Sequence, residues 1–290
     1  MSTSYHNDLE LLLVDNNIFP EGFRHPDSYS APKPSNLDEI LNQLSAPRPG
    51  LPEYGETDFQ MFQHTNSSLS RSTILRRVIP ILEGSVNSSG LKPDTLNDGG
   101  IELDNLTPLV EGVEVVLQPD YFDGAPFTAI NRQVRDALGG IIIPSKPIGA
   151  PVLPNFFLEV RRPSGNAVTT KTEACYYGAC GARSMHALQN YGRDGTTEYN
   201  GDAYSFSSTY INGLLKIYAH FIVGPDDTGE ALPAYHMVEL KAFNMTSTYQ
   251  GFIDGCAAFQ NARELAAEFR KGLISYLGIG QELGELCQTL

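Results

Sequence analysis

The chain has no tryptophan, four cysteines in 290 residues, and only 20 lysines and arginines against 34 aspartates and glutamates. Each scarcity excludes something. A formal charge of −14 is wrong for a protein that coats nucleic acid with a generally basic surface, because phosphate contacts need lysine and arginine in excess. Cys175, Cys180, Cys256 and Cys287 are too few and too irregularly spaced to staple so long a chain, so no disulfide framework is expected. No apolar run approaches the ~18 residues of a membrane span. The start, Met1 to Asp8, lacks the basic residues of a signal peptide, and Leu9–Val14 is too short for its apolar segment. The expectation is an intracellular protein of nucleus or cytoplasm, neither secreted nor membrane-bound. The six histidines are scattered, and Cys175, Cys180 and His186 fall on different faces of one expected helix, which argues against a zinc site.

What is present is a core. At 41% hydrophobic and 10% aromatic residues the chain can bury one large domain or two small ones. Its charge is also uneven. Between Ile130 and Arg193 lie eight basic residues (Arg132, Arg135, Lys146, Arg161, Arg162, Lys171, Arg183, Arg193) against Asp136, Glu159 and Glu173, so this segment carries +5 and the remainder −19. If nucleic acid is a partner, the 130–193 segment is where it is expected to bind.

Residues 1–55 read as a Pro-rich helical leader, with a short helix over Asp8–Asp15 and another from Asn36 that puts Ile40, Leu41 and Leu44 on one face. A single domain is expected over 56–290. Asp58–Glu83 has helical spacing (Ile74, Leu75, Val78, Ile81, Leu82) with Pro80 as a kink or a break. Residues 84–100 are polar loop, Ile101–Leu106 a weak strand candidate, and Glu111–Pro119 a better one. A helix near Ile130–Leu138 is expected to end at Gly139-Gly140. Val168–Tyr191 reads as a long helix whose small residues (Ala174, Gly178, Ala179, Gly181, Ala182) suit close packing on a sheet. The clearest local signal is Asn212-Gly213 between the β-rich runs Ala203–Ile211 and Leu214–Val223, a type I′ hairpin. Tyr235–Phe243 reads as a further strand and Thr246–Leu277 as an amphipathic helix. This order of elements predicts an α/β (α+β) fold, a central mixed β-sheet flanked by helices.

Two short β-rich runs end in acid: Val115-Val116-Leu117-Gln118-Pro119-Asp120 and Asn155-Phe156-Phe157-Leu158-Glu159-Val160-Arg161. Their pattern, with Asp58–Met61, Ile79–Gly84, Ala174–Ala179, Ser184–Tyr191 and Ser208–Tyr210, resembles a group of uncharacterised fungal proteins described as having a PD-(D/E)XK nuclease-like domain. The likeness spans most of the chain. It implies a restriction-endonuclease-like core and a metal-dependent nuclease hydrolysing phosphodiester bonds of DNA or RNA. Asp120, Glu159 and the Val160 carbonyl would hold Mg (or Mn), whose hard charge suits oxygen ligands. Arg161 would stabilise the transition state, with Lys171 as a second candidate cation. Three positions depart from that pattern. Arg161 stands where lysine is usual, Glu173 where the related helix commonly has glutamine, and Ser70–Leu75 offers no acid where the first core helix often carries one.

Arginine keeps its proton above ~pH 12 and so cannot act as a general base, although it can pair with an anionic phosphate. The alternative expectation is a catalytically degenerate nuclease fold serving as a nucleic-acid- or protein-binding module. A blander reading of the same residues also holds: Pro-Asp commonly opens a turn, and Glu159 beside Arg161 and Arg162 can be a solvated ion-pair edge.

Overall fold

The computed structural model describes the chain apart from residues 1–2, 25–30, 49–50, 52–53, 68–69, 85–95, 111–117, 148, 194, 196, 226–231 and 289–290. Among the described residues seven strands form one sheet: β1 (Ile18–Phe19), β2 (Leu96–Asp98), β3 (Tyr121–Ala125), β4 (Val152–Arg161), β5 (Ala203–Ile211), β6 (Leu214–Val223) and β7 (Ala234–Asn244). Their order across the sheet is β1-β7-β6-β5-β4-β3-β2. The β4–β5 and β1–β7 pairs are parallel and the rest antiparallel, so the sheet is mixed, as the order of elements predicts. The parallel β4–β5 pair needs a crossover, which helix α7 (Ala167–Asn190) supplies.

Period-two alternation along β4 divides the core. Phe156, Leu158 and Val160 enter a cluster with Phe62, Ile74, Phe252 and Phe259. Phe157 points the other way, toward Ala174, Tyr177 and Cys180 of α7. The first cluster is closed by α2 (Leu37–Ser45), α3 (Glu56–Asn66), α4 (Arg71–Arg77), α5 (Ile79–Leu82) and α8 (Tyr249–Gln288). The helix expected over Asp58–Glu83 is therefore three pieces, and Pro80 lies in the first turn of α5, where its missing N–H costs nothing.

The leader is built into this body. α1 (Thr3–Asp15) buries Leu9 and Leu13 with the α7 cluster, β1 extends the sheet beside β7, and α2 buries Ile40 and Leu44 against α8. The hairpin has the expected turn, with Asn212 at φ 51° and Gly213 at φ 80°. Other expectations are corrected. Ile101–Leu106 forms no strand; Asn105 instead donates its N–H to Pro144 O at 3.0 Å and its side-chain amide to Ile143 O at 2.9 Å. Helix α6 (Arg132–Ile142) runs through Gly139 and Gly140 rather than stopping there. A Cβ on Gly140 would lie 2.9 Å from Thr107 Oγ1, so that glycine admits a neighbouring loop.

Most of the strand expected over Glu111–Pro119 falls on residues 111–117, outside the described residues; Gln118, Pro119 and Asp120 carry no strand. The strand begins after Asp120, in the stretch Tyr121–Ala125 whose composition reads as a turn. The Pro-Asp pair thus leads into a strand.

Candidate functional site

Register brings the two acids together. Tyr121 pairs with Leu158 across the antiparallel β3–β4 ladder, which sets Asp120, one residue earlier, opposite Glu159, one residue later. The Asp120 N–H donates to Glu159 Oε1 at 3.3 Å and the Val160 N–H donates to Asp120 Oδ2 at 2.7 Å. Both carboxylates are buried, Asp120 at 9% exposure and Glu159 at 1%. Glu159 and Arg161 share a face of β4, and α7 closes over that face with Glu173 and Tyr177.

Arg161 occupies the middle of this pocket. Its Nη1 lies 2.7 Å from Glu159 Oε2, 3.1 Å from Val160 O and 3.4 Å from Asp120 Oδ2. One nitrogen of Arg161 therefore touches all three groups expected to hold a metal. Its Nη2 donates to Glu173. From the far side, Arg71 of α4 pairs with Asp120 through Nη2 and through Nε, the latter 3.2 Å from Oδ2. All four oxygens of Asp120 and Glu159 thus accept hydrogen bonds from the protein.

The electrostatics follow from burial. Loss of water pushes Glu159 up to about 8, and the neighbouring Asp120 charge adds to this, while Arg161 pulls it back. Burial also raises Asp120, against the Val160 N–H and the charges of Arg71 and Arg161. Burial works against the charge of Arg161, but Glu159, Glu173 and Asp120 outweigh it and hold the guanidinium more firmly protonated. A buried charge is tolerable only when paired and hydrogen-bonded, and here three acids surround one arginine while a second arginine seals Asp120.

This donor set does not fit a divalent ion as it stands. The oxygens are spent on N–H donors, and a cation already stands where the ion would. Among the described residues, no group of three or more His, Cys, Asp or Glu side chains is arranged to hold a metal. Lys171 is also displaced from its expected role. Its Nζ donates to Glu21 O at 2.8 Å and lies 3.6 Å from Glu21 Oε2, so it fastens α7 to the segment after β1. Arg71 was not legible from the sequence, since nothing in Ser70–Leu75 pairs visibly with Pro119-Asp120.

Much of the basic island is engaged within the protein, part of it with acids and part with backbone carbonyls. Arg132 pairs with Asp136, Lys146 with Asp104 and Arg193 with Glu198. Arg135 donates to the carbonyls of Phe127 and Ile130, and Arg183 to those of Thr107 and Pro108. Arg162 is exposed. A second buried charge cluster lies on the opposite face of β3. There Arg263 of α8 forks onto Asp123 at 2.8 and 2.9 Å and reaches Glu83 at 3.2 Å and the Tyr121 hydroxyl at 2.8 Å. It bolts α8 to the strand that follows Asp120.

Among the described residues no helix is long and apolar enough to cross a membrane. Comparison with protein-family models, with curated proteins and with solved structures gives no match to this chain.

Proposed function

We propose that this chain is a PD-(D/E)XK nuclease-like protein that keeps the acidic pocket but fills it from within, and that it acts as a binding module and not as a hydrolase. One observation carries the reading: Arg161 Nη1 lies within 3.4 Å of Asp120, Glu159 and Val160 O together. Hydrolysis of a phosphodiester needs a metal to polarise the phosphate and activate water, and here a guanidinium takes that place. The net charge of −14 and the ion pairs that Arg132, Lys146 and Arg193 make with acids favour a protein partner over nucleic acid, because phosphate binding draws on an excess of cations.

A second reading, a Mg- or Mn-dependent nuclease, is favoured by a different observation. Asp120 and Glu159 do converge, and the Arg161 side chain is 22% exposed, a route by which it could leave the pocket. The two readings separate on labelled single- and double-stranded DNA and RNA with Mg²⁺ or Mn²⁺. The binding-module reading expects wild type to be no more active than Asp120→Ala or Glu159→Ala. Metal-dependent cleavage by wild type that both substitutions abolish would establish the nuclease.

A further inference from the structure

The turn that joins β4 to α7 carries a serine and an arginine that the pocket does not use. Ser164 is exposed there, and its hydroxyl makes no hydrogen bond among the described residues. Several other exposed serines are engaged. Ser45 donates to Leu41 O at 2.6 Å, Ser67 to His64 O at 2.6 Å and Ser35 to Asn200 O at 3.1 Å, while Ser70 and Ser72 hold each other at 2.7 Å.

Two arginines precede Ser164. Arg161, three residues before it, is held inside by Glu159 and Glu173. Arg162, two residues before it, is exposed and makes no ion pair among the described residues. The turn is closed by one backbone hydrogen bond, from Gly165 N–H to Arg162 O at 2.8 Å. A turn held by so little opens locally without disturbing β4 or α7. Such a segment suits an enzyme with an acidic substrate groove. The arginine pairs with carboxylates of the groove, and the hydroxyl two residues on is free to reach the reacting centre.

We propose that Ser164 is a phosphorylation site for a protein kinase directed to serines that follow arginine, and that Arg162 is the side chain the kinase recognises. Ser164 Oγ attacks the γ-phosphorus of ATP. As that bond forms, the bond from the γ-phosphorus to its bridging oxygen breaks and ADP leaves, and the hydroxyl proton passes to the kinase's catalytic aspartate. The product carries close to two negative charges, about −1.5 to −2 at neutral pH, and three strong acceptor oxygens. Arg162, once released by the kinase, lies in the same turn to pair with them. The modification thus replaces an unpaired cation beside the pocket with a net negative group, whatever the pocket itself binds.

The test is incubation of the full chain with ATP, Mg²⁺ and the catalytic subunit of cyclic-AMP-dependent protein kinase, with mass spectrometry to place the phosphate. Wild type, Ser164→Ala, Arg162→Ala and Arg162→Lys are compared, with circular dichroism to confirm that each is folded; both positions are exposed, so the variants are expected to fold. Folded wild type should take up phosphate on Ser164, and Ser164→Ala should take up none on the peptide that spans the turn. Arg162→Ala should slow modification of Ser164 at least about tenfold, the scale of one charge-assisted pair. Arg162→Lys, which keeps the charge, should fall between the two.

Phosphate that reaches Ser164 only after the chain is heat-unfolded would overturn the proposal, because the folded surface would then not present the serine. So would equal rates for wild type and Arg162→Ala. Absence of phosphate on Ser164 in both the folded and the unfolded chain would overturn it as well.

Discussion

At the scale of single residues, the pocket assigns unequal weights to its two arginines. Arg161 is mostly buried among three carboxyl groups, whereas the Arg71 side chain is 47% exposed. Removing one partner from a buried ion cluster leaves uncompensated charge, so Arg161→Ala should cost roughly 3 kcal/mol of unfolding free energy. A half-exposed pair is screened by water, so Arg71→Ala should cost less than about 1 kcal/mol. Chemical denaturation of the two variants checks this; equal losses would mean that Arg161 does not bridge the acids. Glu159 gives a pH signature as well. Its folded value of about 8 lies above the unfolded value of about 4.3, so the native state binds a proton that the unfolded chain releases. The stability this contributes is complete below about pH 4 and is lost as pH rises through 8. Glu159→Gln should therefore melt close to wild type near pH 5 and above it near pH 9. A difference of the same size at both pH values would contradict the assignment.

At the scale of elements, α7 shows how close packing is written in the sequence. Its small residues predict a flat approach to the sheet, and Gly178 and Gly181 make the approach. A Cβ at Gly178 would lie 2.2 Å from the His220 ring, and one at Gly181 would lie 2.4 Å from Ser205 Oγ. His220 itself is buried, hydrogen-bonded to Ser207 at 2.7 Å, and pushed down to about 3 by burial, so it cannot yield by moving into water. Gly178→Ala gains ~1 kcal/mol of helix propensity, yet overpacking should win and destabilise the protein by about 1–3 kcal/mol net. Thermal melting decides the sign. The hairpin was legible because Asn212-Gly213 states its own φ angles, and the long helices because their periods persist. Strand β3 was not: Tyr121-Phe122-Asp123-Gly124 has turn-like composition, and what makes it a strand is non-local. Arg263, 140 residues away, neutralises Asp123, and Phe122 and Phe157 stack across the ladder.

For the whole molecule, the segment read as a leader contributes side chains to the core of 56–290. Ile40 and Leu44 are fully buried in the main cluster, and Arg48 reaches Asn261 and Glu264 of α8 at 2.9 Å. Each such apolar side chain contributes roughly 2 kcal/mol by burial, so deleting residues 1–55 should leave 56–290 without a cooperative melting transition. A truncated chain that melts as sharply as the full one would show that the leader only rests on the surface. The same non-locality bounds what the sequence revealed of the site. Asp120, Glu159 and Arg161 were identifiable from two acid-tipped runs. The contact from Arg71, the diversion of Lys171 to Glu21 and the pairing of the basic island all depend on which distant residues the fold brings together.

In the proposed binding module the Arg161 guanidinium lies between Asp120 and Glu159 and leaves no place there for a metal. A crystal of the full wild-type chain grown with Mn²⁺, with anomalous diffraction recorded at the manganese edge, tests it most directly. No anomalous peak is expected between Asp120 and Glu159, where the Arg161 guanidinium lies. A manganese peak bridging those two carboxylates, with Arg161 turned out to solvent, would contradict it.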